Sequence, residues 1–192
     1  VLAHTLLAVD AAERTDEIIL VTREDLMLPL ADICKELQLK KPAKIVKGGE
    51  TRTESVFSGV MEADPRAELI AVHDGARPLV APALFDAVVE SAQVTNASAP
   101  AVPVTDTIKV ADESGIVRST PERSSLFAVQ TPQVFQAELL KAALQSAITC
   151  GANITDDCAA VERLGKQVQL VPGDSENIKI TRPLDLPLAE AI

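Results

Sequence analysis

The sequence predicts an open α/β fold, in which helices cover both faces of a doubly wound, mostly parallel sheet. Two observations support this class. Short runs of aliphatic and β-branched residues alternate with longer helical windows along all 192 residues. These runs are hydrophobic almost continuously, which is typical of parallel strands buried on both faces. Because 47% of the residues are apolar and no linker or repeat interrupts the chain, we expect a single domain over residues 1–192.

Six runs have the length and composition of strands. They are EIILVT (17–22), AKIVKG (43–48), LIAVHD (69–74), PAVPV (100–104), LFAVQ (126–130) and VQLVP (168–172). The helical windows lie at about 24–38, 51–62, 81–94, 136–149, 155–163 and 183–191. Three of the windows follow a residue that can cap a helix N-terminus, namely Thr51, Thr155 and Thr181.

Residues 105–126 break this alternation. Two short β-like pieces flank the turn-forming sequence DESG (112–115), which predicts a β-hairpin. Few large apolar side chains are available to pack it on the main core, so we expect the hairpin to project as an arm that grips a second subunit. A loose surface hairpin is the alternative interpretation.

Composition and charge exclude several classes of function. The formal charge of −10, with four Phe and no Trp or Tyr, argues against a nucleic-acid-binding surface. Three scattered cysteines and two histidines, without CxxC or HExxH spacing, fit neither a disulfide framework nor a structural zinc site. No apolar run reaches the roughly 18 residues of a membrane span, and no secretory leader is recognisable. We therefore expect a cytoplasmic protein with neither a nucleic-acid nor a membrane partner.

Glycines and a hydroxyl follow the second strand candidate, where ligands of open α/β sheets bind. The segment GGETRTESV places Gly48 and Gly49 before a helix that carries Ser55 near its start. The glycines would let a ligand approach the backbone closely, and the helix N-terminus offers N–H donors. Taken alone, the pattern is more often an ordinary connection between a strand and a helix.

A carboxylate and an arginine follow the third strand candidate. Asp74 stands at the strand end, and Arg77 comes three residues later. Such a carboxylate can hold Mg²⁺ together with substrate phosphates, and the arginine can bind an anion through two hydrogen bonds. A salt bridge between Asp74 and Arg77 within the turn is an equally good interpretation. His73 would face the other side of an extended strand, which favours a packing role.

Further cations and a hydroxyl lie in the remaining loops. Lys179, in NIKIT before the last helix, could neutralise a phosphate, although most lysines are exposed to solvent and have no functional role. Thr131 precedes a proline in TPQVF and by itself indicates little. Arg52 and Arg123 also fall in loop segments, and the local potential of a cleft, more than the net charge, governs anion binding.

Taken together and in order, six segments resemble one enzyme family over essentially the whole chain. They are GGETRTESV, VHDGARP, PVTDTIK, TPQVF, ITDD and NIKITRPLDL. The chain resembles the 2-C-methyl-D-erythritol 4-phosphate cytidylyltransferases, which use CTP in non-mevalonate isoprenoid biosynthesis. The resemblance implies a Rossmann-like fold, a homodimer locked by exchanged β-arms, and a divalent metal, usually Mg²⁺. It also implies that the products are 4-diphosphocytidyl-2-C-methyl-D-erythritol and pyrophosphate.

On the nucleotide side, the resemblance places the cytosine-recognising segment on Gly49, Glu50 and Ser55, with Arg52 at its basic position. Glu50 stands where an aspartate is common, and Gly75 replaces the first alanine of VHDAARP. Both differences are mild, because the neighbouring backbone should supply most of the contacts.

On the phosphate side, the resemblance places the metal-binding aspartate on Asp74, and Lys179 matches the lysine that meets the phosphates. The sugar-phosphate contacts fall on Arg77, Thr107 and Thr131. Arg123 on the arm and Thr155 match residues that reach the substrate from the second subunit. The predicted catalytic groups are therefore Lys179, Arg123 and Asp74.

The N-terminal end departs from the family pattern. Members begin with a strand, a Gly-rich phosphate loop containing an arginine, and a lysine in a PKQ-like motif. VLAHTLLAV resembles the helix that follows those elements, so we expect an N-terminally incomplete domain. If no residues precede Val1, the triphosphate cradle and two catalytic cations would be missing and we predict no turnover. A further N-terminal segment would restore it.

Two other functions stay open. A cytidylyltransferase for another polyol phosphate, such as ribitol 5-phosphate, would share the nucleotide half of the site. A non-catalytic nucleotide-binding protein would fit a missing N-terminal loop. A Rossmann dehydrogenase is less consistent with the sequence, because no GxGxxG follows any strand candidate.

Overall fold

The computed structural model describes all 192 residues, Val1–Ile192, and has the predicted α/β class. Its helices are α1 (Leu2–Ala11), α2 (Met27–Leu37), α3 (Arg52–Met61), α4 (Pro82–Thr95), α5 (Ala137–Thr149), α6 (Asp157–Arg163) and α7 (Asp185–Ala191). Its strands are β1 (Ile18–Thr22), β2 (Ala43–Lys47), β3 (Leu69–Val72), β4 (Ala97–Pro103), β5 (Val110–Ala111), β6 (Val117–Ser119), β7 (Phe127–Val129), β8 (Gln133–Gln136) and β9 (Gln169–Pro172). Each predicted strand and helix therefore has a counterpart.

The strands form a small sheet, a larger sheet and a separate hairpin. The small sheet is the parallel pair β1 and β2. In the larger sheet the order is β3-β8-β4-β7, and β9 pairs with β4 in parallel. β8 is antiparallel to β3 and to β4, and β7 is antiparallel to β4. Strands β3, β4 and β9 thus share one direction, whereas β7 and β8 run in the other.

Strands β7 and β8 are the antiparallel part of a fold that otherwise matches the predicted α/β class. A hairpin, not a helix, connects β4 to β7, so the chain returns antiparallel, and β8 continues that direction after residues 130–132. No predicted strand covers β8, whose sequence is QVFQ. Its polar Gln133 is buried because the amide Nε2 donates to Asp156 Oδ2 (2.8 Å) and Oε1 accepts from the Asp157 N–H (3.1 Å).

Helices cover both faces of the larger sheet, as a doubly wound fold requires. Successive side chains of β8 point to opposite faces, so Phe135 and Val134 belong to separate apolar clusters. Phe135 lies in a cluster with Leu140 of α5 and Val161 of α6. Val134 lies in a second cluster with Val88 of α4. The two clusters hold the sheet rigidly between helices, and the loops at the ends of its strands stay accessible.

The predicted helix caps are confirmed at only one position. Thr51 caps α3, since its hydroxyl accepts from the Glu54 N–H and the Glu54 carboxylate accepts from the Thr51 N–H. At α6 the cap is Asp156 and not Thr155, because the aspartate carboxylate accepts from the Ala159 N–H. Thr181 does not cap α7, because its hydroxyl donates to the Asp185 carboxylate and the helix begins later.

The predicted hairpin is confirmed. Strands β5 and β6 pair antiparallel around a turn in which the Asp112 carboxylate accepts from the Ile116 N–H. Gly115 takes a φ of +82° there, a conformation that favours glycine. Residues 105–120 are exposed apart from the half-buried Asp112, so the hairpin extends away from the body of the chain as an arm.

None of the helices is long and apolar enough to cross a membrane. All three cysteines, Cys34, Cys150 and Cys158, are free thiols.

Candidate functional site

An ion-pair cluster forms where the loop after β3 meets the segment after β9. Lys179 Nζ lies 3.1 Å from Asp74 Oδ2, and Arg77 Nε lies 3.5 Å from the same oxygen. Two backbone hydrogen bonds build this arrangement: Arg77 N–H to the Asp74 carbonyl (3.0 Å) closes a turn, and Ile180 N–H to the Ala76 carbonyl (2.8 Å) brings Lys179 beside it. The structure therefore joins residues that lie about one hundred positions apart in the sequence.

The electrostatics of Asp74 favour its ionised form. Burial alone would raise the pKa of its carboxyl, but the hydrogen bond and charge of Lys179, together with Arg77 and Arg52, outweigh that effect and lower the pKa. The salt bridge between Asp74 and Arg77 that the sequence offered as an alternative is thus present, and Lys179 adds to it. Arg52, Asp74, Arg77 and Lys179 are called the Asp74 cluster from here on.

Arg77 is held from two sides. Its side chain is only 11% exposed, and its guanidinium NH1 donates to the Asn177 carbonyl at 2.6 Å. Burial lowers the pKa of this guanidinium, and the neighbouring Asp74 carboxylate opposes the shift. Arg77 is therefore a preorganised cation with little freedom to move away from the site.

Beneath Asp74 lies a chain of hydrogen bonds through Thr131 and His73. The Asp74 N–H donates to the Thr131 hydroxyl (3.1 Å), which in turn lies 3.0 Å from His73 Nδ1. Burial lowers the pKa of His73 to about 4, so the ring is neutral at pH 7 and its Nδ1 can accept the hydroxyl proton. The His73 ring also contacts Phe85 edge to face, with centroids 6.0 Å apart, which confirms the predicted packing role. Thr131 itself is 5% exposed, and its hydroxyl binds these two partners.

Arg52, the first residue of α3, makes a bidentate ion pair with Asp157 at the start of α6. The two N···O distances are 3.1 and 2.7 Å, and the Asp157 side chain is completely buried. Burial raises the pKa of Asp157, and the Arg52 charge opposes that shift. The Asp74 charge also raises the pKa of the Arg52 guanidinium. Arg52 therefore lies on the same side of the molecule as the rest of the cluster. Asp157 has no predicted role, although the two adjacent carboxylates of ITDD stand out in the sequence.

The turn before α3 is tightly packed against the helix. The Ser55 hydroxyl donates to the Thr51 carbonyl (2.8 Å) and accepts from the Gly49 N–H (3.2 Å). A Cβ on Gly48 would lie 2.7 Å from Ser55 Oγ, and one on Gly49 would lie 2.4 Å from Glu54 Cβ, so both positions require glycine. Glu50 is exposed at the tip of this turn.

Three predicted site residues lie apart from the Asp74 cluster. Thr107, Arg123 and Thr155 are exposed, and no hydrogen bond or ion pair connects them to it. Arg123, at the base of the arm, donates instead to the Thr105 carbonyl at 2.9 Å. Within one chain, the structure thus brings together Arg52, Asp74, Arg77, Lys179 and the buried Thr131.

The arrangement suits a phosphorylated ligand despite the acidic composition of the chain. Lys179 and Arg77 lie beside the Asp74 carboxylate, and the charge of Arg52, whose guanidinium pairs with Asp157, acts on it as well. Preorganised positive charge of this kind lowers the energy of phosphate oxygens without rearrangement of the protein.

Comparison with known proteins identifies the family. The family model of 2-C-methyl-D-erythritol 4-phosphate cytidylyltransferase matches residues 1–192. The enzyme of that name from Caldanaerobacter subterraneus subsp. tengcongensis is 46% identical over 191 residues, which are 99% of this chain and 84% of the relative. The corresponding enzyme from Trichormus variabilis is 42% identical over 192 residues, which are 100% of this chain and 84% of the relative.

Solved structures agree with this result. The crystal structure of 4-diphosphocytidyl-2C-methyl-D-erythritol synthase from Anaerococcus prevotii matches with a TM-score of 0.92 at 33% identity, over 99% of this chain and 84% of that one. The 2-C-methyl-D-erythritol 4-phosphate cytidylyltransferase from Thermus thermophilus matches with a TM-score of 0.83 at 36% identity, over 99% and 87%. The fold, the ordered motifs and these matches together show that the chain belongs to the 2-C-methyl-D-erythritol 4-phosphate cytidylyltransferase family.

Proposed function

We propose that this chain transfers the cytidylyl group of CTP to 2-C-methyl-D-erythritol 4-phosphate, giving 4-diphosphocytidyl-2-C-methyl-D-erythritol and pyrophosphate in non-mevalonate isoprenoid biosynthesis. Its family membership and its identity to relatives of that name support this reaction. The structural observation that carries the proposal is the pairing of Asp74 with Lys179 and Arg77, with the charge of Arg52 also acting on it, because both substrates are phosphate anions.

The reaction requires little covalent work from side chains. An oxygen of the 4-phosphate attacks the α-phosphorus of CTP, and the bond from that phosphorus to pyrophosphate breaks. No general base is needed, because a phosphate nucleophile is already ionised at neutral pH. The protein must align two anions and offset the charge that grows on the non-bridging oxygens. Lys179 would neutralise the α-phosphate and the attacking oxygen, and Arg77 would orient the sugar phosphate.

Asp74 fits a divalent cation of the kind that accompanies nucleotides. The structure contains no group of three or more His, Cys, Asp or Glu side chains suited to a metal ion. A single ionised carboxylate is nevertheless sufficient for Mg²⁺ where substrate phosphates and water provide the other oxygens. Asp74 would hold the ion, which would supply positive charge beside the phosphates of CTP.

The other predicted site residues complete the proposal. Gly49, Glu50 and Ser55, at the turn before α3, would recognise the cytosine ring. Thr107 and Thr131 would contact the sugar phosphate. Because the Thr131 hydroxyl already binds the Asp74 N–H and His73, it would have to share or exchange a partner to do so.

A homodimer would bring Arg123 and Thr155 to the site of the second subunit. The arm that carries this proposal exposes apolar side chains, with Ile116 59% and Val117 52% exposed, and such residues are normally covered in an assembly. We further propose that residues 1–192 belong to a single nucleotidyltransferase domain and that the protein is cytoplasmic, a location that the free thiols support.

The test is a turnover assay on the native full-length polypeptide, whose intact mass and N-terminal sequence are determined first. With CTP and Mg²⁺, pyrophosphate release that depends on 2-C-methyl-D-erythritol 4-phosphate is expected. Faster release with ribitol 5-phosphate would replace the proposed substrate. Tight calorimetric binding of CTP and Mg²⁺ without any pyrophosphate release would instead indicate a non-catalytic nucleotide-binding protein.

A further inference from the structure

Lys179 lies on a segment that has no regular secondary structure. Residues 173–180 connect β9 to the turn before α7, and beyond the hydrogen bond from the Gly173 N–H to the Ala101 carbonyl of β4 no sheet ladder or helix holds them. A cation that stabilises a transition state must nevertheless be held closely, since a displacement of about 1 Å can cost about 100-fold in rate. Some other contact must therefore determine where the Lys179 ammonium lies.

Gln130, directly after β7, supplies one such contact. Its side chain is 7% exposed, and its amide pairs with the backbone of the segment as a strand would. Nε2 donates to the Asp174 carbonyl at 2.7 Å, while Oε1 accepts from the Asp174 N–H at 3.2 Å. The fit is close, because a Cβ on Gly173 would lie only 2.7 Å from Gln130 Oε1.

Asn177 supplies the second contact, two residues before Lys179. Its side chain is completely buried, and Nδ2 donates to the Thr131 carbonyl at 3.0 Å. Its main-chain carbonyl accepts from Arg77 NH1 (2.6 Å), so the same residue is linked to Arg77 as well as to the segment that carries Lys179, the two cations that pair with Asp74. Asn177 Oδ1 is buried without a hydrogen-bond partner. Because an unpaired buried oxygen destabilises the fold, an apolar side chain would fill this space with a smaller loss of stability.

We propose that Gln130 and Asn177 are positioning residues, which fasten residues 173–180 to the end of β7 so that the Lys179 ammonium is aimed at the reacting phosphates. The two side chains, called the Gln130–Asn177 clamp, are buried and bind protein backbone. They act through the backbone on either side of Lys179, together with the Ile180 N–H bond to the Ala76 carbonyl. The positioning role of Gln130 and Asn177 rests on the proposed function in one respect, which is the identity of the phosphates that Lys179 meets.

The test compares Gln130→Ala with Gln145→Ala, a control at an exposed glutamine of α5 that bonds only within its own helix. In the native full-length polypeptide, Gln130→Ala should lower kcat by about tenfold or more, as is usual for residues that orient a site from behind it. The KM for CTP should stay within about twofold. In a Lys179→Ala background the same substitution should change kcat by less than about twofold, because the group that it positions is gone.

Hydrogen exchange provides a readout that needs no turnover. Amides of residues 173–180 should exchange faster in Gln130→Ala, whereas β4 should be unaffected. If that variant does not fold, Gln130→Met serves instead, since it keeps the length of the buried side chain and removes only the amide that bonds Asp174. Unchanged exchange, or an equal loss of kcat with and without Lys179, would overturn the clamp. Absence of pyrophosphate release by the unsubstituted protein would overturn the proposed function alone, and the exchange result would still decide on the clamp.

Discussion

Replacing Arg52 by alanine should destabilise the fold, because it leaves the Asp157 carboxylate buried without its partner. The pair is bidentate, at 3.1 and 2.7 Å, and Asp157 is fully buried. Breaking a buried ion pair costs about 3–5 kcal/mol. Since the Arg52 side chain is 43% exposed and already partly hydrated, we expect a smaller loss of about 2–3 kcal/mol at pH 7, at or just below the lower end of that range.

The destabilisation should depend on pH with a definite sign. Burial raises the pKa of Asp157, so the folded state binds a proton at this carboxyl more readily than the unfolded state does. Without Arg52 that pKa rises further, and the penalty applies only where the carboxylate is ionised. The difference in free energy of unfolding between the two proteins should therefore be largest at neutral pH and should shrink as the pH falls.

Urea unfolding at several pH values measures both effects. Arg66→Ala is the matched control, because Arg66 makes an ion pair of similar length with Asp64 (2.8 Å) but is 89% exposed. That substitution should change the free energy of unfolding very little. Equal unfolding midpoints for Arg52→Ala and Arg66→Ala would refute the argument that burial of Asp157 makes its ion pair important.

Three further outcomes follow from the site. Asp74→Asn should abolish metal-dependent turnover and leave the circular dichroism spectrum unchanged, so retention of Mg²⁺-dependent kinetics would remove the metal assignment. Arg123→Ala should raise the KM for the sugar phosphate and barely alter CTP binding, and mixing it with Lys179→Ala subunits should restore some activity; an unrestored mixture would argue against sites shared between chains. Burial lowers the pKa of His73 to about 4 from 6.5, so the unfolded state takes up the proton first and stability should fall as the pH drops through this range. His73→Gln should flatten that part of the stability profile, as measured by urea unfolding, and a profile identical to the parent would contradict it.

The order of helices and strands could be predicted because buried parallel strands have continuous runs of apolar residues in the sequence. β8 could not, since its end residues Gln133 and Gln136 are polar and the first is buried only because the start of α6 satisfies its amide. The hydrophobic periodicity of the sequence could not predict that β7 runs antiparallel to β4. It depends on the arm between residues 105 and 126, which replaces a helical crossover.

The sequence predicted which charged residues form the site, but it did not predict which residues they contact. Asp74 could be picked out because it follows a strand, and residues at strand ends gather at one edge of an α/β sheet. Lys179 lies seven residues after the end of β9, on a segment without regular secondary structure, so only its charge and its motif pointed to it. The partner of Arg52 could not, because Asp157 lies 105 positions away and only packing brings it near. Gln130 and Asn177 carry no charge and match no chemical motif, so their role becomes visible only through the hydrogen bonds that they make in the folded chain.

The most direct test of the phosphate-binding role of the Asp74 cluster is a crystal structure of the native full-length polypeptide with CTP and Mg²⁺. We expect the metal ion on the Asp74 carboxylate, the Lys179 ammonium within hydrogen-bonding distance of a CTP phosphate, and the cytosine ring at the turn formed by Gly49. A nucleotide whose phosphates lie on another face of the sheet, away from Asp74, Arg77 and Lys179, would contradict this assignment.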